Sequence, residues 1–246
     1  MSLIDKLKSL PKKELDEIAQ DCYIDIKRKT KQDILKELIP LFEEYEKETT
    51  KYKKIEQLGS KGKEGKVFLV KDSKDNKYAM KEFAKTKSGK NLEKEAIFLK
   101  KASEFGISPK LIDYDYRYNN YIVMEKLDKN LFDYIKENKG KMSIKVQKQM
   151  INILKMLDKI RIFHADPNPL NFMFDSSGKM YIIDFGFAKA IDDKLEDQHG
   201  TRHLNMKYMP LGFLLKMSDF VDPTTFTEIM KHVSDEDKKR IACLNK

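Results

Sequence analysis

The sequence lacks long apolar stretches. Its 246 residues include no run near the roughly 18 consecutive apolar residues that a membrane-spanning helix needs. The N-terminal residues MSLIDKLKSLPKKEL also lack the apolar stretch and the cleavage site of a secretory signal. We therefore expect a soluble protein without a membrane partner that stays inside the cell, in the cytoplasm or the nucleus.

Cysteine is scarce as well. Cys22 and Cys243 lie far apart, and neither belongs to a CxxC pair. They predict isolated, reduced thiols rather than a disulfide framework or a zinc site, so a bound metal would need oxygen ligands. Internal repeats and low-complexity tracts are also absent from the sequence. At this length we interpret the chain as a compact domain with a small appendage.

Charged residues are abundant. They make up 36% of the sequence, but 40% apolar residues with 14 Phe and 11 Tyr suffice for a core. The net charge is +9, yet residues 1–50 hold 10 Lys and Arg against 12 Asp and Glu, so the basic excess lies in residues 51–246. Such a diffuse lysine surface is typical of solubility. Attraction to ATP or to an acidic partner is the alternative.

The N-terminal part has the apolar spacing of two helices, over residues 3–20 and 30–47. Pro11 fits the first turn of a helix that starts near it, and Thr30 with Asp33 resembles a capping box. The segment YIDIKRK between the helices is predicted to be extended. The charged run EEYEKETTKYKK has too little apolar surface to pack. We therefore predict a domain boundary near residue 50, between a small unit (1–50) and a main domain (51–246).

The main domain begins with strand patterns. They occur at KKIEQL, KVFLV, KYAMKEF, KLIDYD and YIVMEKL, with a helical pattern at NLEKEAIFLKKASEF. This order predicts an antiparallel sheet that carries a helix. Residues 144–162 then predict a long amphipathic helix, and NFMFD and MYIID flank an SSG turn. The predicted fold class is α+β, with a helical lobe after the sheet.

Three glycines lie between the first two strand patterns. In LGSKGKEGKVFLV, Gly59, Gly62 and Gly65 could let backbone N–H groups approach phosphate oxygens. The alternative interpretation is that the glycines only form the turn of a β-hairpin. Further on, Lys81 ends the strand pattern YAMK, and a lysine on an inward face needs an anionic partner. Glu95 on the following helix is a suitable one, although both could be surface charges.

Two later motifs supply oxygen groups. HADPNPLNFMF contains Asp166 and Asn171, and IIDFGFAK contains Asp184. Phosphoryl transfer needs a carboxylate to orient or accept the proton of the attacking hydroxyl, and oxygen ligands to hold Mg²⁺ on the phosphates. The order of a glycine-rich loop, a strand lysine, this loop and Asp-Phe-Gly therefore predicts an ATP-dependent phosphotransferase.

From about Tyr52 to Lys189 the sequence resembles the protein-kinase superfamily. The resemblance implies a bilobal fold and the cofactors ATP and Mg²⁺ or Mn²⁺. It implies that Lys81 anchors ATP with Glu95 as partner, that Asp166 is the catalytic base, and that Asn171 and Asp184 bind metal. His164 would be structural. The implied nucleotide-binding residues are Leu58, Gly59, Ser60, Lys61, Gly62, Lys63, Glu64, Gly65, Val67, Ala79, Lys81, Met124, Glu125 and Leu127.

Two neighbours of Asp166 depart from the family pattern. Ala165 replaces the arginine that pairs with a phosphorylated activation segment, so we predict activity without such phosphorylation. Asn168 replaces the lysine two residues after the catalytic aspartate. HADPNPLN is therefore similar to RIO kinases, the small kinase of the tRNA threonylcarbamoylation complex and aminoglycoside-type phosphotransferases. Only 60 residues follow Gly186, which implies a shortened C-terminal lobe like that of compact kinases from large DNA viruses.

Residues 1–50 resemble SAP and Rho-N helix–extended–helix modules. Several of these modules bind nucleic acid, and Lys27, Arg28, Lys29 and Lys31 form a basic cluster. The net acidity of this unit disfavours strong phosphate binding. We therefore favour protein docking or packing over nucleic-acid binding.

Three functions remain open at this point. The first is a serine/threonine protein kinase acting on a protein substrate. A small-molecule phosphotransferase is favoured by Asn168 and the short C-terminal lobe. A non-catalytic binding module is disfavoured because the set of Lys81, Asp166, Asn171 and Asp184 is complete.

Overall fold

The chain begins with three helices, in a computed structural model that describes residues 3–59, 65–84, 87–117, 119–199, 204–205 and 231. They are α1 (Leu3–Ser9), α2 (Lys12–Asp21) and α3 (Lys31–Thr50), and both α1 and α2 pack on α3. Their apolar faces meet in a core of their own. Its buried members are Leu7, Leu15, Ala19, Ile34 and Leu38.

The helix predicted over residues 3–20 is split at Pro11. Proline has no N–H group with which to continue the hydrogen bonds of α1. It therefore precedes α2 as its N-cap instead of lying in the first turn. The capping box predicted at the start of α3 is confirmed. The Asp33 N–H donates to Thr30 Oγ1 (3.2 Å), and the Thr30 N–H donates to Asp33 Oδ2 (3.0 Å).

Two expectations for this region were wrong. The extended segment predicted over YIDIKRK is interrupted, because Tyr23 and Arg28 take left-handed backbone angles with φ of 60° and 61°. The charged run expected not to pack instead continues α3 to Thr50. It also contacts α1, since the Leu3 N–H donates to Glu46 Oε1 at 2.7 Å.

A five-stranded antiparallel sheet follows, and it confirms the predicted strands. The strands are β1 (Lys53–Leu58), β2 (Gly65–Lys71), β3 (Lys77–Phe83), β4 (Leu111–Asp115) and β5 (Tyr121–Glu125), in the spatial order β1-β2-β3-β5-β4. Helix α4 (Gly89–Glu104) is capped by Ser88 and packs against β4 and β5. Its buried face, which includes Leu92 and Leu99, carries Glu95 beneath the sheet.

The remaining elements are short strands and helices. They are β6 (Lys129–Asn130), α5 (Leu131–Glu137), α6 (Ile144–Lys159), β7 (Ile162–Phe163), β8 (Phe172–Phe174), β9 (Met180–Ile182), β10 (Lys189–Ala190) and α7 (Asp193–His199). Strand β8 pairs with β6 and β9, and β7 pairs with β10. The SSG turn predicted between β8 and β9 is present, with Gly178 at φ 78°. Residues 200–203, 206–230 and 232–246 of the predicted helical lobe lie outside the described residues.

Helix α6 ends earlier than predicted. It stops at Lys159 because Arg161 takes a left-handed φ of 60° and turns the chain into β7. The apolar face of α6 packs in one core with α4, β8 and β9. In the described part of the chain, every helix is too short or too polar to span a bilayer.

Candidate active site

A cavity of about 680 Å³ lies beside the five-stranded sheet. This volume falls in the range of small-molecule sites. Strand pairing sets Ala79 opposite Met124 and Val67 opposite Lys81. Nine of the residues predicted to bind ATP or support its binding line the cavity together: Leu58, Gly59, Val67, Ala79, Lys81, Glu95, Met124, Glu125 and Leu127. Met173, Ile183 and Phe185 line it as well, which the sequence did not predict.

The glycine-rich loop is described only at its two ends. Ser60, Lys61, Gly62, Lys63 and Glu64 lie outside the described residues. Gly59 lines the cavity with a left-handed φ of 68°. Gly65 is not among the cavity-lining residues, and a Cβ there would lie 2.0 Å from the backbone oxygen of Glu82 on β3. Glycine at position 65 is therefore required by strand pairing, and a role in phosphate binding stays a prediction.

Lys81 forms the predicted ion pair with Glu95. Its Nζ lies 2.7 Å from Glu95 Oε1 and 2.7 Å from Asp184 Oδ1. Burial alone would lower the pKa of Lys81, but the two carboxylates hold that pKa above its ordinary value. Burial likewise opposes ionisation of Asp184, yet Lys81 keeps the pKa of Asp184 below its ordinary value. At neutral pH Lys81 and Asp184 are therefore both charged and paired with each other.

Asp166 and Asn171 meet in the loop between β7 and β8. The Asn171 Nδ2 donates to the backbone oxygen of Asp166 (2.9 Å) and to its Oδ2 (3.1 Å). The Ile183 N–H donates to the backbone oxygen of Asn171 at 2.9 Å, and Ile183 is the residue before Asp184. The structure therefore brings Asp166, Asn171 and Asp184 into one connected site.

His164 occupies the interior of this site. It is fully buried, and its Nε2 lies 2.9 Å from the Ile183 oxygen, so Nε2 carries the proton. Burial lowers the pKa of His164, which keeps the ring neutral. Its Nδ1 accepts from the Asp166 N–H at 3.4 Å. This geometry matches the structural role that the resemblance implies.

The family model of the protein kinase domain matches residues 52–212, more than half of the chain. This chain belongs to the protein kinase domain family. Family membership implies a phosphotransferase that uses ATP as phosphoryl donor.

Curated relatives agree with this assignment over parts of their length. The kinase is 31% identical over 118 residues to a KEOPS complex subunit Bud32 of Pyrococcus abyssi, covering 47% of the chain and 52% of that protein. It is 36% identical over 77 residues to a probable serine/threonine-protein kinase PknB of Bifidobacterium longum, covering 30% and 11%. The kinase thus spans from about a tenth to about half of these relatives.

Asn205 is a residue that the sequence analysis missed. It is fully buried, and its Oδ1 accepts a hydrogen bond from the backbone N–H of His164 at 2.8 Å. Its Nδ2 donates to the Ile162 oxygen (2.7 Å) and to Asp158 Oδ1 (2.8 Å). One side chain therefore joins α6, β7 and the loop that carries Asp166. No local pattern marks it, since its partners lie 41 to 47 residues earlier.

Proposed function

We propose that this kinase transfers the γ-phosphoryl group of ATP to a serine or threonine hydroxyl of a protein. The observation that carries the proposal is that these residues form one connected site. Lys81 forms an ion pair with Asp184, and the neighbouring Ile183 donates a backbone hydrogen bond to Asn171. The Asn171 side chain in turn donates to Asp166. Phosphoryl transfer requires a phosphate-binding cation, a metal ligand and a hydroxyl-orienting carboxylate within one small space. Lys81 and Asp184 line the nucleotide-sized cavity. Asp166 and Asn171 are not among its lining residues but are joined to Asp184 through the hydrogen bond from Ile183.

In this proposal each group has one task. Val67, Ala79, Met124 and the segment Glu125 to Leu127, which line the cavity, would hold the adenine ring. Lys81 would donate to the α and β phosphates, and its ion pair with Glu95 would keep it in place. Asp166 orients the acceptor hydroxyl and takes its proton as the oxygen attacks phosphorus.

The cation in this proposal is Mg²⁺ or Mn²⁺, held by Asn171 and Asp184. Carboxylate and amide oxygens are ligands that these hard cations prefer. The Asn171 Nδ2 is committed to Asp166, which leaves its Oδ1 for the metal. Across the described ranges no group of three His, Cys, Asp or Glu could hold a metal alone. The phosphates of ATP would complete the coordination, and the metal would neutralise their charge.

The test is transfer from radiolabelled ATP with Mg²⁺ or Mn²⁺. The acceptors are the protein itself, generic protein, cell lysate and small alcohols, and the variants are Asp166→Ala and Asp184→Ala. We expect label on serine or threonine, and a loss of about 10²- to 10⁴-fold in Asp166→Ala. Label on a small alcohol alone would assign a small-molecule phosphotransferase, which Asn168 also fits. Unchanged transfer in Asp166→Ala would overturn both.

For residues 1–50 we propose a separate domain that docks protein rather than nucleic acid. Lys29 of its basic cluster is already paired, with its Nζ 2.7 Å from Glu37 Oε1. The unit is also net acidic, and affinity for nucleic acid grows with the phosphates that cations neutralise. A mobility-shift titration with duplex and single-stranded DNA should show no binding by residues 1–50. A salt-sensitive shift would assign nucleic acid as the partner.

A further inference from the structure

Asn168 lies directly against the side chain of Asp166. Its Nδ2 donates to Asp166 Oδ1 at 2.9 Å, and its own Oδ1 accepts the Leu170 N–H at 2.9 Å. Only 8% of Asn168 is exposed. Because the Leu170 N–H can only donate, the carbonyl side of the Asn168 amide must face it. The amide orientation is therefore determined, and its donor side faces Asp166.

The Asp166 carboxylate is thus held from two sides. Asn168 donates to Oδ1, and Asn171 donates to Oδ2 at 3.1 Å. Two fixed donors leave the carboxylate little freedom to rotate. Each carboxylate oxygen still has a second lone pair that can accept a hydrogen bond from an acceptor hydroxyl. The pair of amides therefore orients Asp166 without blocking it.

We propose that Asn168 is a positioning residue for phosphoryl transfer, which it serves by holding Asp166 in its reactive orientation. This inference rests on the proposed function, in which Asp166 orients the acceptor. Asn168 is neutral, so it supplies geometry without placing a positive charge beside the transferred group. Neutralisation of that group then depends on Lys81 and the metal ion.

A purely structural role for Asn168 makes a different prediction. Asn168 could matter only because it accepts the Leu170 N–H and so closes the turn. The variant Asn168→Asp tests the two roles. The new carboxylate can still accept a hydrogen bond from the Leu170 N–H. The amide nitrogen that donates to Asp166 is replaced by an oxygen, which repels the Asp166 carboxylate. A purely structural role predicts that folding and ADP affinity survive this change. The neutral pair Asn168→Ser and Asn168→Ala then separates loss of positioning from the effect of the added charge.

The matched control is Asn76→Asp. The Asn76 Nδ2 also donates to an aspartate, Asp72 Oδ2, at 3.0 Å, in the exposed turn between β2 and β3. This variant makes the same chemical change away from the site. Both variants are measured in the full chain for kcat, KM for ATP, ADP affinity and thermal midpoint. ADP is the binding probe because it lacks the γ-phosphate, which an added carboxylate at position 168 would repel.

We expect Asn168→Asp to lower kcat by roughly 10- to 100-fold, the scale of a misplaced reacting group. The ADP affinity and thermal midpoint of Asn168→Asp should equal those of the control Asn76→Asp. A kcat within about twofold of the wild type, in an enzyme that Asp166→Ala inactivates, would overturn the inference alone. Wild-type transfer that does not depend on Asp166 would instead overturn the proposed function.

A second pair of variants tests the positioning role without an added charge, and it also applies if Asn168→Asp unfolds. Asn168→Ser keeps a hydroxyl that can accept from Leu170 and donate to Asp166, whereas Asn168→Ala keeps neither. A kcat at least about threefold higher for serine than for alanine, with equal ADP affinity and an equal thermal midpoint, supports positioning. Equal kcat values for the two variants contradict it.

Discussion

Glu95 shares its carboxylate between two lysine side chains. Lys81 Nζ lies 2.7 Å from Oε1, and Lys87 Nζ lies 2.7 Å from Oε2. Lys87 also lies over the Phe83 ring, 4.1 Å from its centroid. Glu95 is almost fully buried, and a buried carboxylate needs compensating charge. When Lys81 turns toward the phosphates of ATP, Lys87 can keep Glu95 neutralised and in place.

Lys87→Met should therefore weaken ATP binding. Glu95 would then depend on Lys81 alone, and Lys81 would be less available to the phosphates. We expect KM for ATP to rise about tenfold, equivalent to about 1.4 kcal/mol, and Lys87→Arg to restore most of it. The control is Lys94→Met on the exposed side of α4, where Nζ lies over the Phe98 ring at 5.8 Å. Equal KM values for Lys87→Met and Lys94→Met would contradict the prediction.

The site residues fall into two groups: those marked by a short sequence motif and those recognised only by long-range contacts. Asp166, Asn171 and Asp184 could be predicted because they stand in short motifs whose residue types match phosphoryl-transfer chemistry. Lys87 and Asn205 could not be predicted in the same way. Lys87 is one of many lysines until the fold sets its Nζ on Glu95, and Asn205 meets its partners only through long-range packing. Residues that support a motif are therefore visible mainly in the structure.

The length of each strand or helix decided whether the sequence could predict it. The five sheet strands and helix α4 have enough residues to show a hydrophobic period. Strands β6, β7 and β10 have two residues each and show none. Helix α5 was missed although it carries a start signal: the side chain of Asn130 accepts the Asp133 N–H at 2.8 Å. An N-cap pattern there was the available clue.

Helix α7 is tied to the loop that follows α6. Arg161 Nη1 lies 2.6 Å from Glu196 Oε1, and the Ile191 N–H donates to the Arg161 oxygen at 3.0 Å. Arg161 stands five residues before Asp166, so this contact joins the segment after Asp184 to the catalytic loop. This ion pair needs no phosphate, which fits the activity without phosphorylation predicted from Ala165.

Charge reversal tests this contact. Arg161→Glu should lower kcat/KM about two- to fivefold, because a half-exposed ion pair contributes about 0.2–1 kcal/mol. The double variant Arg161→Glu/Glu196→Arg should recover most of the loss, and the difference should shrink at high salt. The measurement is a double-mutant cycle on phosphatase-treated protein. A double variant as impaired as Arg161→Glu, or activity abolished by phosphatase, would contradict the contact's role.

At the scale of the whole molecule, the described residues form more than one apolar core. The helices α1 to α3 have a core that shares no residue with the core joining α4, α6 and β8. A connection follows α3, where the Tyr52 ring lies edge-on to Tyr78 (6.3 Å) and Tyr121 (5.9 Å) of the sheet. Separate cores predict that the N-terminal unit can unfold while the kinase domain stays folded.

Leu15→Ala tests whether residue 50 separates two folding units. Leu15 is fully buried between the helices, so its truncation should cost about 2–5 kcal/mol, and so small a core has little stability to lose. We expect hydrogen exchange to accelerate throughout α1, α2 and α3, with β3, α6 and ATP affinity unchanged. Leu41→Ala is the control, because Leu41 lies on α3 and is 42% exposed. If β3 and α6 lost protection together with the helices, the chain would fold as one cooperative unit. The N-terminal helices would then contribute directly to the stability of the nucleotide site, and a docking role separate from catalysis would have to be abandoned.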